Sequence, residues 1–175
     1  MKYFTPQMWT GFNSPRSKAA LESWDSRLKA YRQNLKKILP GLNSQAQRFF
    51  RDALILHDGT LTRMEVGDRI GNVDGGASRD LVNRRGAAVR LFVLSDVVNQ
   101  RCYILEYRNI RRVELNFPGK IVLFPIGLNA NFGDWGYDEL TSPEKGLFRH
   151  EILFSSGATI AIEFREISVR RRRTK

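Results

Sequence analysis

Residues 148 to 164 read FRHEILFSSGATIAIEF and contain two runs in which every second residue is apolar. This alternation is typical of β-strands that bury one face. A two-residue turn would direct the two apolar sets to opposite faces. A three-residue loop at Ser155-Ser156-Gly157 directs both to one face and offers a glycine for a left-handed position. The segment therefore predicts an antiparallel hairpin with four opposed pairs: Phe154 and Ala158, Ile152 and Ile160, His150 and Ile162, and Phe148 and Phe164.

The hairpin register also assigns the polar residues to faces of the sheet. Arg149 stands opposite Glu163 on the outer face, where opposite charges on neighbouring strands attract each other. His150 lies between apolar neighbours on the buried face, so we expect a core histidine that is hydrogen-bonded to a backbone or carboxylate partner. Because successive side chains point to opposite faces, His150 and Glu151 cannot enter the same pocket.

Four further segments before this hairpin are rich in β-branched and aromatic residues and are separated by turn signals, which predicts strands. They cover residues 88 to 94, 102 to 107, 110 to 117 and 120 to 124. Residues 67 to 87 are rich in glycine and poor in apolar side chains. We therefore predict a long mobile loop there.

Helical spacing dominates the N-terminal third of the chain. Ser14 before Pro15 is a typical helix start, because a proline at the first helical position loses no hydrogen bond. The apolar residues that follow are three or four positions apart and form one stripe: Leu21, Trp24, Leu28, Tyr31, Leu35 and Ile38. Pro40 ends this helix, and Ser44 with Gln47 has the spacing of a capping box at the start of another.

These patterns predict an α+β fold. N-terminal helices, in residues 1 to 57, pack on a mainly antiparallel β-sheet of five to seven strands, in residues 60 to 169. We expect residues 1 to 169 to form a single domain, and the last residues, 170 to 175, to project from it as a basic tail.

The net charge of +11 is concentrated at the two ends of the chain. Residues 1 to 48 contain nine basic and two acidic residues, and residues 170 to 175 contain five basic residues and no acidic one. The intervening part is nearly neutral. The apolar fraction of 42% is typical of a folded globular protein. Cys102 is the only cysteine, which excludes an intrachain disulfide and a cysteine-rich zinc site.

The first residues lack the apolar run of a secretory signal, and no segment approaches the roughly 20 apolar residues that a membrane span needs. We therefore expect a cytoplasmic protein without a transmembrane segment.

Three segments together resemble an uncharacterised family of small bacterial proteins. They are MKYFTP at residues 1 to 6 with Trp9, LHD at residues 56 to 58, and GDWGYDEL at residues 133 to 140 running on to HEILFSSGA at residues 150 to 158. The resemblance extends over most of the chain and implies a bacterial cytoplasmic setting, and the family carries no assigned activity. The very basic last six residues are an addition to the pattern of this family.

The chain contains no phosphate-binding GKS/T loop, no GxGxxG turn and no HExxH pair. One set of imidazoles and carboxylates could exchange protons or bind a divalent ion: His57, Asp58, Asp138, Glu139, His150 and Glu151. Several members have a structural explanation as well, because His57 and Asp58 precede a glycine turn and His150 belongs to the predicted core. We therefore favour a protein without catalytic activity, cofactor or metal site.

Residues 133 to 140 combine two aromatic with three acidic residues in a predicted loop. Such a loop offers apolar contact area and hydrogen-bonding tips to a basic protein partner. Alternatively, Trp135 and Tyr137 close one end of the sheet. The first interpretation predicts a non-enzymatic protein-interaction module, of the inhibitor or toxin-immunity kind, that uses the sheet face and this loop. Its partner-binding residues are Asp134, Trp135, Tyr137, Asp138 and Glu139.

The alternative function is non-specific nucleic-acid binding through the basic helix and the C-terminal tail, where phosphate contact is electrostatically easy. These contacts would not read sequence, because no recognised base-reading fold accompanies them. The residues predicted for this function are Lys18, Lys29, Arg32, Lys36, Arg170, Arg171, Arg172, Arg173 and Lys175.

Overall fold

A computed structural model describes residues 1–5, 18–52, 55–67, 87–95, 101–118 and 132–173. Two α-helices in these ranges are α1 (Lys18–Ile38) and α2 (Ser44–Arg51), separated by a 3-10 turn (Leu39–Gly41). Eight strands follow in the same ranges: β1 (Thr60–Gly67), β2 (Ala88–Ser95), β3 (Arg101–Arg108), β4 (Arg112–Asn116), β5 (Trp135–Glu144), β6 (Leu147–Phe154), β7 (Thr159–Phe164) and β8 (Glu166–Arg173).

The strands form two four-stranded antiparallel sheets, in the orders β1-β2-β3-β8 and β4-β7-β6-β5. The predicted α+β fold with mainly antiparallel pairing is confirmed. The described strands number eight in two sheets, however, against five to seven expected in one. Two sheets form instead of one because the chain passes from the first sheet to the second between β3 and β4, where Asn109 has a φ of 53°. It returns to the first sheet at Arg165, between β7 and β8.

The hairpin of β6 and β7 has the predicted register. Ile152 stands opposite Ile160, and Phe148 stands opposite Phe164. The amide of Phe154 donates to the carbonyl of Ala158 at 2.9 Å, and Gly157 takes a left-handed φ of 83° in the three-residue loop. Both apolar faces therefore enter the same core, as alternation and loop length together required.

The core lies between the inner faces of the two sheets. The ring of Tyr107 on β3 is 5.0 Å from that of Phe164 on β7. Helix α2 contributes two side chains to the same interior, since Phe49 packs near Tyr103 and the ring of Phe50 is 5.0 Å from that of His150. The short helix therefore covers part of the space between the sheets.

Helix α1 contacts β5 through the predicted apolar stripe. Tyr31 and Leu35 are buried, Trp24, Leu28 and Ile38 are partly buried, and Leu21 is exposed. The predicted capping box at Ser44 is wrong by one residue. The N-cap is Asn43, whose side chain accepts a hydrogen bond from the amide of Ala46, because an asparagine oxygen reaches this amide at least as well as a serine hydroxyl does.

Two of the predicted upstream strands coincide with β2 and β3, and a third begins two residues late, at Arg112. The strand predicted at residues 120 to 124 lies outside the described residues, as does most of the loop predicted at residues 67 to 87. The helix start at Ser14 also lies outside them.

The C-terminal arginines do not form a projecting tail. Arg170 to Arg173 belong to β8, which pairs with β3 along its length and ends with Arg173 opposite Arg101. The prediction is wrong for these four residues because β3 offers a full hydrogen-bonding edge, and Ile167 and Val169 anchor β8 in the core. Residues 174 and 175 lie outside the described range. No described helix combines the length and apolar character needed to cross a membrane.

Candidate functional site

The segment predicted as an aromatic recognition loop is a strand in this structure. Trp135 has no exposed surface, Glu139 has none, and Tyr137 is 8% exposed. Trp135 is fixed by main-chain bonds because its amide donates to Gly59 and its carbonyl accepts from the amide of Asp58. The prediction of an exposed loop is therefore wrong for these three residues, and the alternative, in which the rings belong to the sheet, agrees with their burial.

His150 lies at the centre of a buried hydrogen-bonded chain of four side chains. Its Nε2 is 3.0 Å from Oδ2 of Asp138, and its Nδ1 is 2.7 Å from the hydroxyl of Tyr107. The other oxygen of Asp138 accepts from the indole N–H of Trp135 at 3.0 Å. One neutral tautomer satisfies both ring nitrogens, with Nε2–H donating to Asp138 and Nδ1 accepting from Tyr107. The prediction of a core histidine with a carboxylate partner is confirmed.

This hydrogen-bonded set of side chains contains the same types of group as a catalytic proton relay, but its histidine and tyrosine are not accessible to solvent. His150 and Tyr107 have no exposed surface. Burial, followed by the negative charge of Asp138, raises the pKa of the Tyr107 hydroxyl well above its usual value, so the hydroxyl keeps its proton. A substrate cannot reach these groups without opening the core.

The six residues of the candidate catalytic set fall into three separate places. His57 binds the neighbouring Asp58 at 3.0 Å, and Asp58 has a φ of 61°, as expected of a turn. Asp138 and His150 meet in the core, whereas Glu139 lies on the outer face of the second sheet with Glu151. Among the described residues, no three His, Cys, Asp or Glu side chains are placed to share a metal ion.

Sequence reasoning missed the contact between the first residues and the outer face of β5 and β6. Both oxygens of Glu139 accept main-chain N–H groups, from Lys2 at one oxygen and from Tyr3 and Phe4 at the other, the last two at 2.7 and 3.1 Å. The ammonium of Met1 is 3.0 Å from Oε1 of Glu151. No local pattern near residue 1 indicates that it meets residues 139 and 151.

Aromatic side chains complete this contact. The ring of Phe4 lies 5.1 Å from that of Tyr31, 5.3 Å from that of Trp24 and 5.6 Å from that of Tyr137. Trp24 and Tyr31 belong to the predicted stripe of α1, so the stripe packs on the N-terminal segment as well as on β5. Burial, and next the charge of Asp138, raises the pKa of the Tyr31 hydroxyl well above its usual value, and this hydroxyl binds the amide of Leu140.

The electrostatic setting of Glu151 favours its charged form. Burial acts to raise the pKa of this carboxyl, but hydrogen bonds from the Met1 ammonium and from Arg149 outweigh burial, and the pKa is lowered. Arg149 also binds Glu163 at 3.0 Å, as the hairpin register predicts, and Glu114 at 2.8 Å. These carboxylates raise the pKa of the Arg149 guanidinium against the opposing effect of burial.

A second charged cluster covers the outer face of the first sheet. Glu106 is almost fully buried and accepts hydrogen bonds from Arg90 at 3.0 Å, Arg108 at 2.6 Å and Arg170 at 3.1 Å. Burial acts to raise the pKa of Glu106, but the bonds from Arg108 and Arg90 lower it overall. Arg170, predicted as a nucleic-acid contact, therefore already has a carboxylate partner.

The other predicted nucleic-acid residues differ in their surroundings. Lys29, Arg32 and Lys36 are exposed on α1, and no carboxylate of the described ranges lies within 4.0 Å of them. Arg171 and Arg172 are exposed on β8. The side chains of Lys18 and Arg173, and all of Lys175, lie outside the described part of the structure.

A cleft of about 340 Å³ lies between the segment that follows α1 and the start of β8. The 3-10 turn after α1 and Asn43 form one wall, and Arg108, Arg165 and the first residues of β8 form the other. Within the described ranges, the guanidinium of Arg165 makes long contacts, at 3.4 Å to the carbonyl of Gly146 and at 4.0 Å to Glu144.

Comparison of this chain with models of protein families, with curated proteins and with solved structures finds no match.

Proposed function

We propose that this protein is a non-enzymatic binding module for polyanions, and that its partner is the phosphate backbone of nucleic acid. The proposed surface consists of the C-terminal half of α1 and the neighbouring cleft. The observation that carries the proposal is that Lys29, Arg32 and Lys36 are exposed and have no carboxylate partner within the described residues.

Three carboxylates of the sheets form hydrogen bonds with groups of the same protein. Glu106 binds three arginines, Glu139 binds three main-chain amides, and Asp138 binds His150 and Trp135. Lys29, Arg32 and Lys36 on α1 have no such partners in the described ranges, so their field reaches solvent. A surface of this kind attracts phosphate groups and releases their counterions on binding.

The cleft gives the surface a shape as well as a charge. Its volume falls within the usual range of ligand sites, about 300 to 1,000 Å³. Arg165 lines it, together with Arg108, which already binds Glu106, and with the acidic Glu166. Arginine binds phosphate oxygens with two parallel N–H groups, which adds geometric preference to charge attraction. Among the described elements none is a known base-reading motif, so we expect binding without sequence preference.

A protein partner, of the inhibitor or toxin-immunity kind, stays a second proposal. It requires the N-terminal segment to leave the outer face of β5, because this segment covers Tyr137 and Glu139. Trp135 would stay buried, because it lies in the core with Asp138 and His150. The proposed setting for either function is the bacterial cytoplasm, which the family resemblance implies.

The test is the affinity of the full chain for a short fluorescent DNA duplex, measured by anisotropy over a series of salt concentrations. Lys36→Glu should weaken binding several-fold, because one phosphate contact is lost. For the same reason, the slope of the logarithm of the association constant against the logarithm of the salt concentration should become less steep by about one. The matched control is Lys145→Glu, which changes the net charge equally at the exposed turn between β5 and β6.

Equal losses in the two variants would show that net charge alone drives binding, and would contradict the proposed surface. Absence of binding by the unmodified chain at low salt would exclude the function itself.

A further inference from the structure

We infer that the end of the first sheet beside α2 is a binding site for a pyrophosphate group, either the free ion or the diphosphate of a nucleotide. Three arginines from three different elements form this site, which we call the arginine site: Arg48 on α2, Arg101 on β3 and Arg171 on β8. The inference goes beyond binding of a nucleic-acid backbone and uses none of the residues of the surface proposed above.

Two of these arginines continue rows of side chains that face the core. On β3, Leu105 and Tyr103 are buried in the core, and Arg101 is the next residue of the same row. On β8, Val169 is buried and Arg171 follows it two residues later, directly opposite Tyr103. Because alternate residues of a strand share a face, both arginines lie on the core-facing side of the first sheet. Arg171 is exposed and Arg101 is partly exposed, so they lie where the core ends.

The strand register places these two arginines within reach of one ligand. Arg171 stands opposite Tyr103, which is two residues beyond Arg101, so the two arginines are diagonal neighbours on paired strands. Residues in this relation are about 7 to 8 Å apart, a distance that long side chains span. One anion can therefore contact both guanidinium groups.

Helix α2 supplies the third arginine. The ring of Phe49 is 6.2 Å from that of Tyr103 on the first sheet, whereas the ring of Phe50 is 5.0 Å from that of His150 on the second. Successive residues of an α-helix are about 100° apart, so Arg48 precedes Phe49 on the side away from Phe50. Arg48 therefore lies on the flank of α2 that borders the first sheet, and it is exposed.

The arginine site has no counter-charge in the described part of the chain. Within those residues, no carboxylate lies within 4.0 Å of Arg48, Arg101 or Arg171. Arg170, the neighbour of Arg171 on the opposite face, differs because it binds Glu106 at 3.1 Å. Like charges close together on one face of a sheet destabilise it, and a bound anion removes this cost.

The number of arginines favours two linked phosphates over one. Guanidinium groups bind phosphate oxygens through two parallel N–H groups, which makes arginine the preferred residue for this ligand. A single phosphate monoester carries a charge of about −1.5 to −2 at neutral pH, so it leaves part of the charge of three arginines unbalanced. A pyrophosphate group balances this charge more closely and offers oxygens to all three side chains.

The test is isothermal titration of the full chain with inorganic pyrophosphate at low salt, where we expect saturable binding to one site. Arg101→Gln and Arg171→Gln should each weaken this binding about tenfold or more, because each removes a charge-assisted contact. The matched control is Arg111→Gln, which removes an equal charge at an exposed arginine beside the second sheet that binds Glu144. This control should leave the affinity unchanged.

A competition with ADP distinguishes the two sources of the ligand. Displacement of pyrophosphate by ADP would assign the site to nucleotide diphosphates, and failure of ADP to displace it would assign the site to the free ion. Thermal unfolding supplies a second measurement, because pyrophosphate should raise the melting temperature of the unmodified chain and of Arg111→Gln, and much less that of Arg171→Gln.

Absence of saturable pyrophosphate binding, or equal losses in Arg171→Gln and Arg111→Gln, would overturn the inference. If Arg171→Gln does not fold, Arg171→Lys decides instead, because it keeps the charge and loses the paired N–H groups. This variant should bind pyrophosphate several-fold more weakly than the unmodified chain. An unchanged affinity would contradict recognition of the ligand by Arg171.

Discussion

His150 shows how much a single position can reveal. Alternation in the hairpin predicts that its imidazole is buried and bonded to a polar partner, and the structure supplies Asp138 and Tyr107 at 3.0 and 2.7 Å. Which partners it has could not be predicted, because Tyr107 is on another sheet and no sequence rule relates the two strands. Glu139 shows the opposite case: the same type of reasoning made it an exposed binding residue, whereas it is buried under residues 2 to 4.

Tyr107→Phe tests the buried chain of hydrogen bonds. Removal of this hydroxyl leaves Nδ1 of His150 without a donor in the core, which should lower the free energy of unfolding by about 1 to 3 kcal/mol. Tyr103→Phe is the matched control, because no side-chain hydrogen bond of the described residues involves the Tyr103 hydroxyl, and it should change stability by less than about 0.5 kcal/mol. Denaturant unfolding measures both, and equal effects would contradict a structural role for the Tyr107 bond.

At the scale of elements, prediction succeeded where local pattern and local geometry coincide. The hairpin of β6 and β7 has its predicted register because strand alternation and turn length are both local, and they agree. The segment from residues 133 to 140 was misassigned because its glycines and acids are typical of a loop. Pairing with β6 on one side and with the main chain of Gly59 at its start makes it a strand.

The last strand shows a similar effect of context. A run of arginines is typical of a solvated tail, but β3 provides a partner edge for β8. Since β8 is the last strand of its sheet within the described residues, its arginines also have a structural use. Charged side chains on an edge strand oppose pairing with a strand of another molecule.

Gly157→Ala tests the loop that fixes the hairpin register. Gly157 has a φ of 83°, which costs an L-residue about 1 to 2 kcal/mol, and an added Cβ would come within 3.3 Å of the Pro118 ring. We expect a comparable loss of unfolding free energy. Gly67→Ala is the control, since its backbone is ordinary and nothing lies within 4 Å of an added Cβ; it should be neutral. A neutral Gly157→Ala in thermal unfolding would show that the loop does not have this conformation.

At the scale of the whole molecule, charged side chains fall into two groups. Some form ion pairs on the two sheets, and others, on α1, are exposed cations. Glu106 and Glu151 each have a lowered pKa, because bonds from arginines or from the Met1 ammonium outweigh burial. Such a group stabilises the folded state fully above its unfolded pKa, about 4.3 for glutamate, and this contribution is lost as pH falls through the folded value.

The free energy of unfolding should therefore be nearly constant around neutral pH and should fall below about pH 4.3. Glu106→Gln should cost about 2 kcal/mol at neutral pH, less than a fully buried pair, because Arg108 and Arg170 are partly exposed. It should also make the decline in acid shallower. Urea unfolding at several pH values measures both effects, and parallel pH curves for the two proteins would rule out this role of Glu106.

The amino-acid sequence by itself determined the class of fold, the hairpin register, the pairing of Arg149 with Glu163 and the burial of His150. These properties follow from periodicity and turn length, which act over a few neighbouring residues. Tertiary structure alone decided that Glu139 and Glu151 bind the N-terminal segment, that Glu106 binds three arginines, and that the final arginines belong to a sheet. Each of these contacts joins residues far apart in the chain, and their partners become neighbours only when the two sheets fold against each other.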